Sequence, residues 1–326
     1  MAATLSPLLG RAADRSQTGH RGRTPEIEDA RRGRRAMTGL THTHSMTLEA
    51  TPARLFEALT DPEDLKIWFA EHVDIEPRKL GKFRFWGRHT YGTPGPADAN
   101  GVIREFEPGR MIAFDWPVEG CDGLARLDVE PDGEKARLII THSFERAPSV
   151  GRAKELVDDM WRIHLGALMC HLMGAPVALP DFTETEAVVK SSIYIDAPRS
   201  VVFRAFTDPD LLNQWIAKDA KVDLDAGTLD FGWAYEIEGQ IVVPPPMKIL
   251  DFEQDRKFVT NWPDWRGDKS VPDQRVTWLL EDEGDGTRVT LIHDGFVRAV
   301  DVSDYPFGWS YFLGKIKEAT EKAAKA

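Results

Sequence analysis

One segment of this 326-residue chain is written twice. Residues 60–70 read Thr-Asp-Pro-Glu-Asp-Leu-Lys-Ile-Trp-Phe-Ala, and residues 207–217 read Thr-Asp-Pro-Asp-Leu-Leu-Asn-Gln-Trp-Ile-Ala. Trp68 and Trp215 stand 147 positions apart, about the length of a compact domain. That period is too long for a solenoid unit, so it constrains the chain to two self-sufficient copies of one fold.

The correspondence continues in order along both halves. Phe56 and Ala58 match Phe203 and Ala205, and Pro52 matches Pro198 one residue out of step. Glu105-Phe106-Glu107 with Arg110 matches Asp251-Phe252-Glu253 with Arg256, and Trp116-Pro117 matches Trp262-Pro263, all at offset 146. Arg137, Leu138 and His142 match Arg288, Val289 and His293 at offset 151; Trp161 and Leu165 match Trp309 and Leu313 at offset 148. Drift of a few residues is what loops absorb.

Each copy reads as a strand, two short helices, about six strands and one long helix. In the first copy, alternation marks a strand at 44–49. Pro52 and Pro62 open two short helices, since proline suits a first helical turn. Strands follow at 73–76, 82–86, 101–106, 111–116, 124–129 and 136–144, punctuated by Gly81, Pro108-Gly109 and Asp132-Gly133. Leu156, Met160, Ile163, Ala167 and Cys170 recur at helical spacing within a helix over 150–173. The second copy repeats this with strands at 188–195, 221–224, 228–234, 237–243 with 248–252, 257–262, 275–280 and 287–296, short helices at 199–206 and 211–215, and a closing helix at 304–324. The expected boundaries are a basic disordered tail at 1–40, one domain at 41–174, a linker at 175–186 and a second domain at 187–326. One long helix cannot cover such a sheet completely, so a cavity between them is expected in each copy.

Bulk properties narrow the function classes. No apolar run approaches the ~20 residues of a membrane span. The net charge of −12 is uneven: residues 1–35 are +4 and the remainder −16. An acidic body argues against nucleic-acid binding, which needs cations to displace counterions. Cys121 and Cys170 form no metal or redox motif, which suits a reducing cytoplasm. The Arg-rich start lacks the apolar stretch of a secretory signal. It reads as a tail without fixed structure, or as sequence upstream of a start at Met37.

These residues, in this order, resemble the START-like (SRPBCC, helix-grip) superfamily, and within it the homologues of the activator of the heat-shock protein 90 ATPase. The resemblance is carried by Thr60-Asp61-Pro62 with Trp68-Phe69, Gly81, Gly101, Pro108, Arg110, Trp116, His142 and Trp161 with Leu165. In the second copy it is carried by Thr207-Asp208-Pro209 with Trp215, Gly227, Arg256, Trp262, Thr287, His293-Asp294-Gly295-Phe296 and Gly308-Trp309 with Leu313. It spans nearly all of residues 44–326. It implies an α+β fold of two tandem helix-grip domains, each a curved antiparallel sheet of about six to seven strands wrapped on a long C-terminal helix, with two short helices after the first strand. It also implies hydrophobic cavities for a small apolar ligand or a role in regulating a protein client, such as a chaperone under stress.

The candidate cavity residues are Trp68, Phe85, Trp116, His142 and Trp161 in the first copy and Trp215, Phe231, Trp262, His293 and Trp309 in the second. Core packing is the competing role for each aromatic. His142 and His293, near the end of the last strand, are the only weak catalytic candidates; a neutral imidazole there could bind a ligand carbonyl or move a proton. No nucleophile or second base stands at recognisable spacing beside either. The expectation is therefore a non-enzymatic cytoplasmic protein without cofactor. The alternative is a cavity enzyme, like the tandem helix-grip aromatase/cyclases of polyketide synthesis, using His142 or His293. His42 and His44 share a strand face, and His164 and His171 a helix face. Neither pair has further ligands in the sequence, so no metal is expected.

Overall fold

The computed structural model describes residues 39–93, 95–184, 186–237 and 240–325. All but two residues of the expected 1–40 tail lie outside the described residues. The first copy comprises β1 (Leu40–Leu48), α1 (Pro52–Ala58), α2 (Pro62–Trp68), β2 (His72–Ile75), β3 (Phe83–Trp86), β4 (Ile103–Glu107), β5 (Met111–Asp115), β6 (Gly123–Asp132), β7 (Lys135–Phe144) and α3 (Ala153–Leu172). The second comprises β8 (Val189–Ile195), α4 (Arg199–Thr207), α5 (Pro209–Trp215), β9 (Lys221–Asp223), β10 (Thr228–Asp230), β11 (Tyr235–Ile237), β12 (Gln240–Val242), β13 (Met247–Glu253), β14 (Lys257–Trp262), β15 (Gln274–Glu283), β16 (Gly286–Asp294) and α6 (Tyr305–Ala324), with a 3-10 turn at Ala299–Val302 before α6.

The repeated Thr-Asp-Pro motif is a helix start. The Asp61 carboxylate accepts the Glu63 and Asp64 backbone N–H groups, and Pro62 takes the first turn of α2. Asp208 does the same for Asp210, with Pro209 opening α5. The tryptophan that ends each helix then ties it to its neighbour. Trp68 Nε1 donates to the Ala58 carbonyl at 2.9 Å, and Trp215 Nε1 to the Ala205 carbonyl at 2.8 Å. Both indoles are buried, so the bond removes the one polar atom that burial would otherwise penalise.

All sheet pairings are antiparallel. The first sheet runs β1-β7-β6-β5-β4, with the β2–β3 hairpin joined to it through a Lys82–Val102 bridge. The second runs β8-β16-β15-β14-β13-β10-β9. Register shifts fall at Ile103/Glu105 and at Ile249/Asp251, the same place in both copies. Two strand expectations in the second copy change. The 228–234 strand stops at Asp230, because the Asp230 carboxylate accepts the Gly232 N–H and Gly232 takes φ +64°, a side-chain turn that competes with the ladder. The 237–243 strand is a hairpin pairing Ile237 with Gln240.

The two copies pack together. Gly166 on α3 lets the Phe307 ring of α6 approach so closely that any Cβ would stand 2.2 Å from it. The connecting segment lies against the first copy: Phe182 N donates to the Arg88 carbonyl at 2.7 Å, and His89 Nδ1 lies 2.9 Å from the Pro180 carbonyl. Cys121 and Cys170 are free. Among the described residues, no helix is long and apolar enough to cross a membrane.

Candidate functional site

The two histidines singled out by the repeat occupy one frame. Trp161 Nε1 donates to His142 Nδ1 at 3.2 Å, and Trp309 Nε1 donates to His293 Nδ1 at 3.0 Å. An accepting Nδ1 puts the proton on Nε2. His142 Nε2 donates to the Trp116 carbonyl at 2.9 Å, and His293 Nε2 to the Gln274 Oε1 at 2.8 Å. Both rings are fully buried, and burial pushes both pKa values down to about 3. Each imidazole is thus neutral with both nitrogens engaged.

The copies differ in how the space between sheet and helix is filled. In the first, Phe69, Phe83 and Phe114 interlock with Phe85, Trp116 and His164, with ring centroids as close as 4.4 Å for Phe83–Phe114 and 4.8 Å for Phe69–Phe85. The register places Ile216, Leu229 and Thr260 at the positions of Phe69, Phe83 and Phe114. Those three smaller side chains line a small void with Trp215, Phe231, Trp262 and Trp309. At about 10 Å³ it is no larger than one water.

Outside this void lies a wider, half-open mouth of about 50 Å³, sharing Leu229, Phe231 and Trp262 with it. Its walls are Trp233, Trp265, Met247 and Tyr305, with Asp230 and Asp304 as the acidic members. Trp262 Nε1 donates to the Tyr305 hydroxyl at 3.0 Å. The first copy has Val157 at the place of Tyr305, and the buried Trp116 Nε1 has no partner among the described residues.

The first copy braces one wall of this mouth. Two guanidiniums lie by the Trp265 ring, Arg162 of α3 at 4.6 Å and Arg266 at 4.3 Å from its centre, a doubled cation–π contact. Arg266 in turn spans Asp159 at 2.7 and 3.3 Å and also pairs with Asp158. Arg162 bonds Asp158 at 2.9 Å and Asp304 at 3.3 Å. Burial would raise the Asp158 carboxyl, but Arg162 and Arg266 hold it well below the usual range. Burial wins at Asp159, which rises to about 6, and at Asp304, which also rises. A buried network of this kind is costly to break from one side.

Of the expected cavity residues, Trp215, Phe231, Trp262 and Trp309 line the second-copy space, whereas His293 is not among its lining residues. Trp68, Phe85, Trp116 and Trp161 are buried in the first-copy core, and His142 is buried against Trp116 and Trp161. Sequence reasoning missed Ile216, Leu229, Thr260, Trp233, Trp265 and Tyr305. The offset jump from 146 at Trp262 to 151 at Gln274 was the available signal, because it marks five extra residues in the loop that carries Trp265 and Arg266. A larger groove of about 410 Å³ runs elsewhere, between Met169 of α3, Met173 just past its end, the segment at 176–180, β8, and Phe307 and Tyr311 of α6. Lys190, Ser191, Ser310 and Tyr311 are polar side chains on its wall.

Two curled antiparallel sheets, each closed by one long helix and entered through a repeated pair of short helices, define tandem START-like, helix-grip modules. The chain belongs to the Activator of Hsp90 ATPase homolog 1-like protein family, whose model matches residues 49–172 and again 196–321. Similar solved structures include DynU16 from the dynemicin biosynthetic locus, at 15% identity, covering 86% of this chain and 98% of that one with a TM-score of 0.37. The di-domain ARO/CYC protein BexL of the BE-7585A biosynthetic pathway is 15% identical, covering 88% and 99%, with a TM-score of 0.35. The protein SSP2350 from Staphylococcus saprophyticus is 21% identical, covering 42% and 93%, with a TM-score of 0.33. No curated protein matches the chain.

Proposed function

We propose that this protein binds a small apolar ligand in its second module and that its first module serves as a filled scaffold. The observation that carries the reading is the replacement of Phe69, Phe83 and Phe114 by Ile216, Leu229 and Thr260 at matching positions, where the space opens. The mouth is rich in indole and apolar surface, and Asp230, Asp304 and Tyr305 are the polar residues on its wall. The scaffold reading also accounts for Arg162, which reaches from the first module to hold the Trp265 wall.

The same geometry favours binding over catalysis by histidine. A general base needs a free lone pair within reach of its substrate. In both His142 and His293 the Nδ1 lone pair accepts an indole N–H, and Nε2 is spent on an internal acceptor. Regulation of a chaperone client rests on the family name alone.

The test is binding of an apolar fluorescent probe, 1-anilinonaphthalene-8-sulfonate, to the folded full chain and to Leu229→Phe and Thr260→Phe variants. Refilling the space is expected to weaken binding at least tenfold while the circular dichroism spectrum is unchanged. Equal binding by wild type and both variants would sink the proposal. A change in chaperone ATPase turnover on adding the wild-type protein would instead favour the client reading.

A further inference from the structure

His42 and His44 stand two residues apart on β1, the edge strand of the first sheet, with ring centroids 6.4 Å apart and planes inclined by only 22°. In the sequence they are two potential ligands without a third. The fold supplies it from 114 residues downstream, because α3 crosses that edge and presents Asp158. One donor atom from each of the three side chains lies within 4.8 Å of the other two.

The carboxylate is already oriented for this role. Its Oδ2 is taken by Arg162 and Arg266, while Oδ1 lies toward His42 Nε2 at 3.9 Å. Outer groups that fix a ligating carboxylate in this way are a regular part of metal sites. His42 is 6% exposed, and its Nε2 has no hydrogen-bond partner among the described residues. A buried ring nitrogen aimed at a carboxylate but too far from it for a hydrogen bond leaves room for an atom between them.

The spacing of the donors fits a small ion. Metal–nitrogen and metal–oxygen bonds of roughly 2.0–2.2 Å put tetrahedral donors about 3.4 Å apart, so the cluster closes on an ion by about 1 Å of side-chain rotation. Arg162, Arg266 and Lys154 face the site with positive charge. Arg162 and Arg266 are shared among Asp158, Asp159 and Asp304, and Oδ1 is the Asp158 oxygen left facing the histidines. Imidazole and carboxylate donors suit zinc-class ions rather than calcium or magnesium.

We propose that His42, His44 and Asp158 form a three-ligand site for one divalent transition-metal ion of the zinc class, with a coordination position left open. It is separate from the apolar pocket and stands whether or not that pocket binds a ligand. The test uses the full chain stripped with a chelator and titrated with Co²⁺ and Zn²⁺, reading the cobalt visible absorption and calorimetric stoichiometry. The expected result is one ion per chain, Zn²⁺ displacing Co²⁺, and affinity at least tenfold weaker in His44→Ala and in Asp158→Asn. His72→Ala, which alters an exposed histidine elsewhere, is expected to bind as wild type does. His44 is half-buried at a sheet edge, so its variant keeps the test readable even if Asp158→Asn fails to fold. Absence of stoichiometric uptake, or uptake unchanged in His44→Ala, overturns the proposal.

Discussion

Trp309 donates its indole N–H to Nδ1 of His293 at 3.0 Å, fixing the last strand of the second module to its long helix. Trp161 and His142 make the same bond in the first module at 3.2 Å. The repeat preserves this bond, and its first consequence is structural. Trp309→Phe leaves a buried nitrogen unpaired, which costs about 1–3 kcal/mol, with a further loss for the smaller ring. Urea unfolding followed by fluorescence is expected to show that shift. No loss in the midpoint would mean the bond is dispensable.

Gly123 and Gln274 occupy equivalent strand positions and solve one problem differently. A Cβ at Gly123 would stand 2.5 Å from the Trp116 carbonyl and 2.6 Å from His142 Nε2. The bare backbone lets that imidazole reach the carbonyl, whereas Gln274 supplies the acceptor from its own side chain. Gly123→Ala is therefore expected to destabilise by more than about 2 kcal/mol. Gln274→Ala is expected to cost about 1–3 kcal/mol through the unpaired Nε2. A neutral Gly123→Ala would contradict the contact.

Phe114 can report on the filled module. Phe114→Thr copies the Thr260 arrangement and removes a ring packed against Phe83 at 4.4 Å. The expected cost is about 3–5 kcal/mol, as for other buried ring deletions. The variant is also expected to gain binding of a small apolar gas such as xenon, detectable by nuclear magnetic resonance. Stability within about 1 kcal/mol of wild type would show that the rings do not depend on one another.

Arg266 joins the modules, since it pairs with Asp158 and Asp159 on α3 and stacks on Trp265. Arg266→Met strands the buried Asp159 carboxylate while Asp158 keeps Arg162, and about 3–5 kcal/mol is typical for breaking a buried pair from one side. Calorimetry is expected to split one unfolding transition into two as the modules uncouple. A single transition at the wild-type temperature would argue that the network contributes little.

Acid should unfold the protein through its buried imidazoles. His142, His164 and His293 are lowered from 6.5 to about 3 by burial. Below pH 6.5 the unfolded chain takes up these protons and the folded chain does not, so stability is complete above that pH and falls as pH drops toward 3. Each ring contributes roughly 1.4 kcal/mol per pH unit over that window. Asp159, raised to about 6, acts oppositely, because the folded state binds its proton first. The three rings outweigh it, and the melting temperature is expected to fall between pH 6 and pH 5. A flat profile there would mean the rings are solvated.

Much of the architecture is legible in the sequence. The offset between the copies located both helix starts, both long helices and the matched His–Trp pairs, because a repeated local pattern encodes repeated local structure. The site was less readable. Phe114 and Thr260 align in the sequence, but a smaller residue means a cavity only if its neighbours do not close over it, and packing decides that. The 237–243 hairpin was likewise misread as one strand, since alternation alone does not reveal a change of direction.

By itself, then, the sequence determined that there are two copies of one fold, where each begins its helices, and which aromatics recur, since all of these follow from short-range spacing and capping chemistry. Only the tertiary structure decided that rings fill the first copy where the second leaves a one-water void beside a half-open mouth. It also decided that Arg162 of the first module supports Trp265 of the second, and that Asp158 meets His42. Those relationships join residues about a hundred positions apart. Their energies depend on burial and distance, which no local pattern specifies.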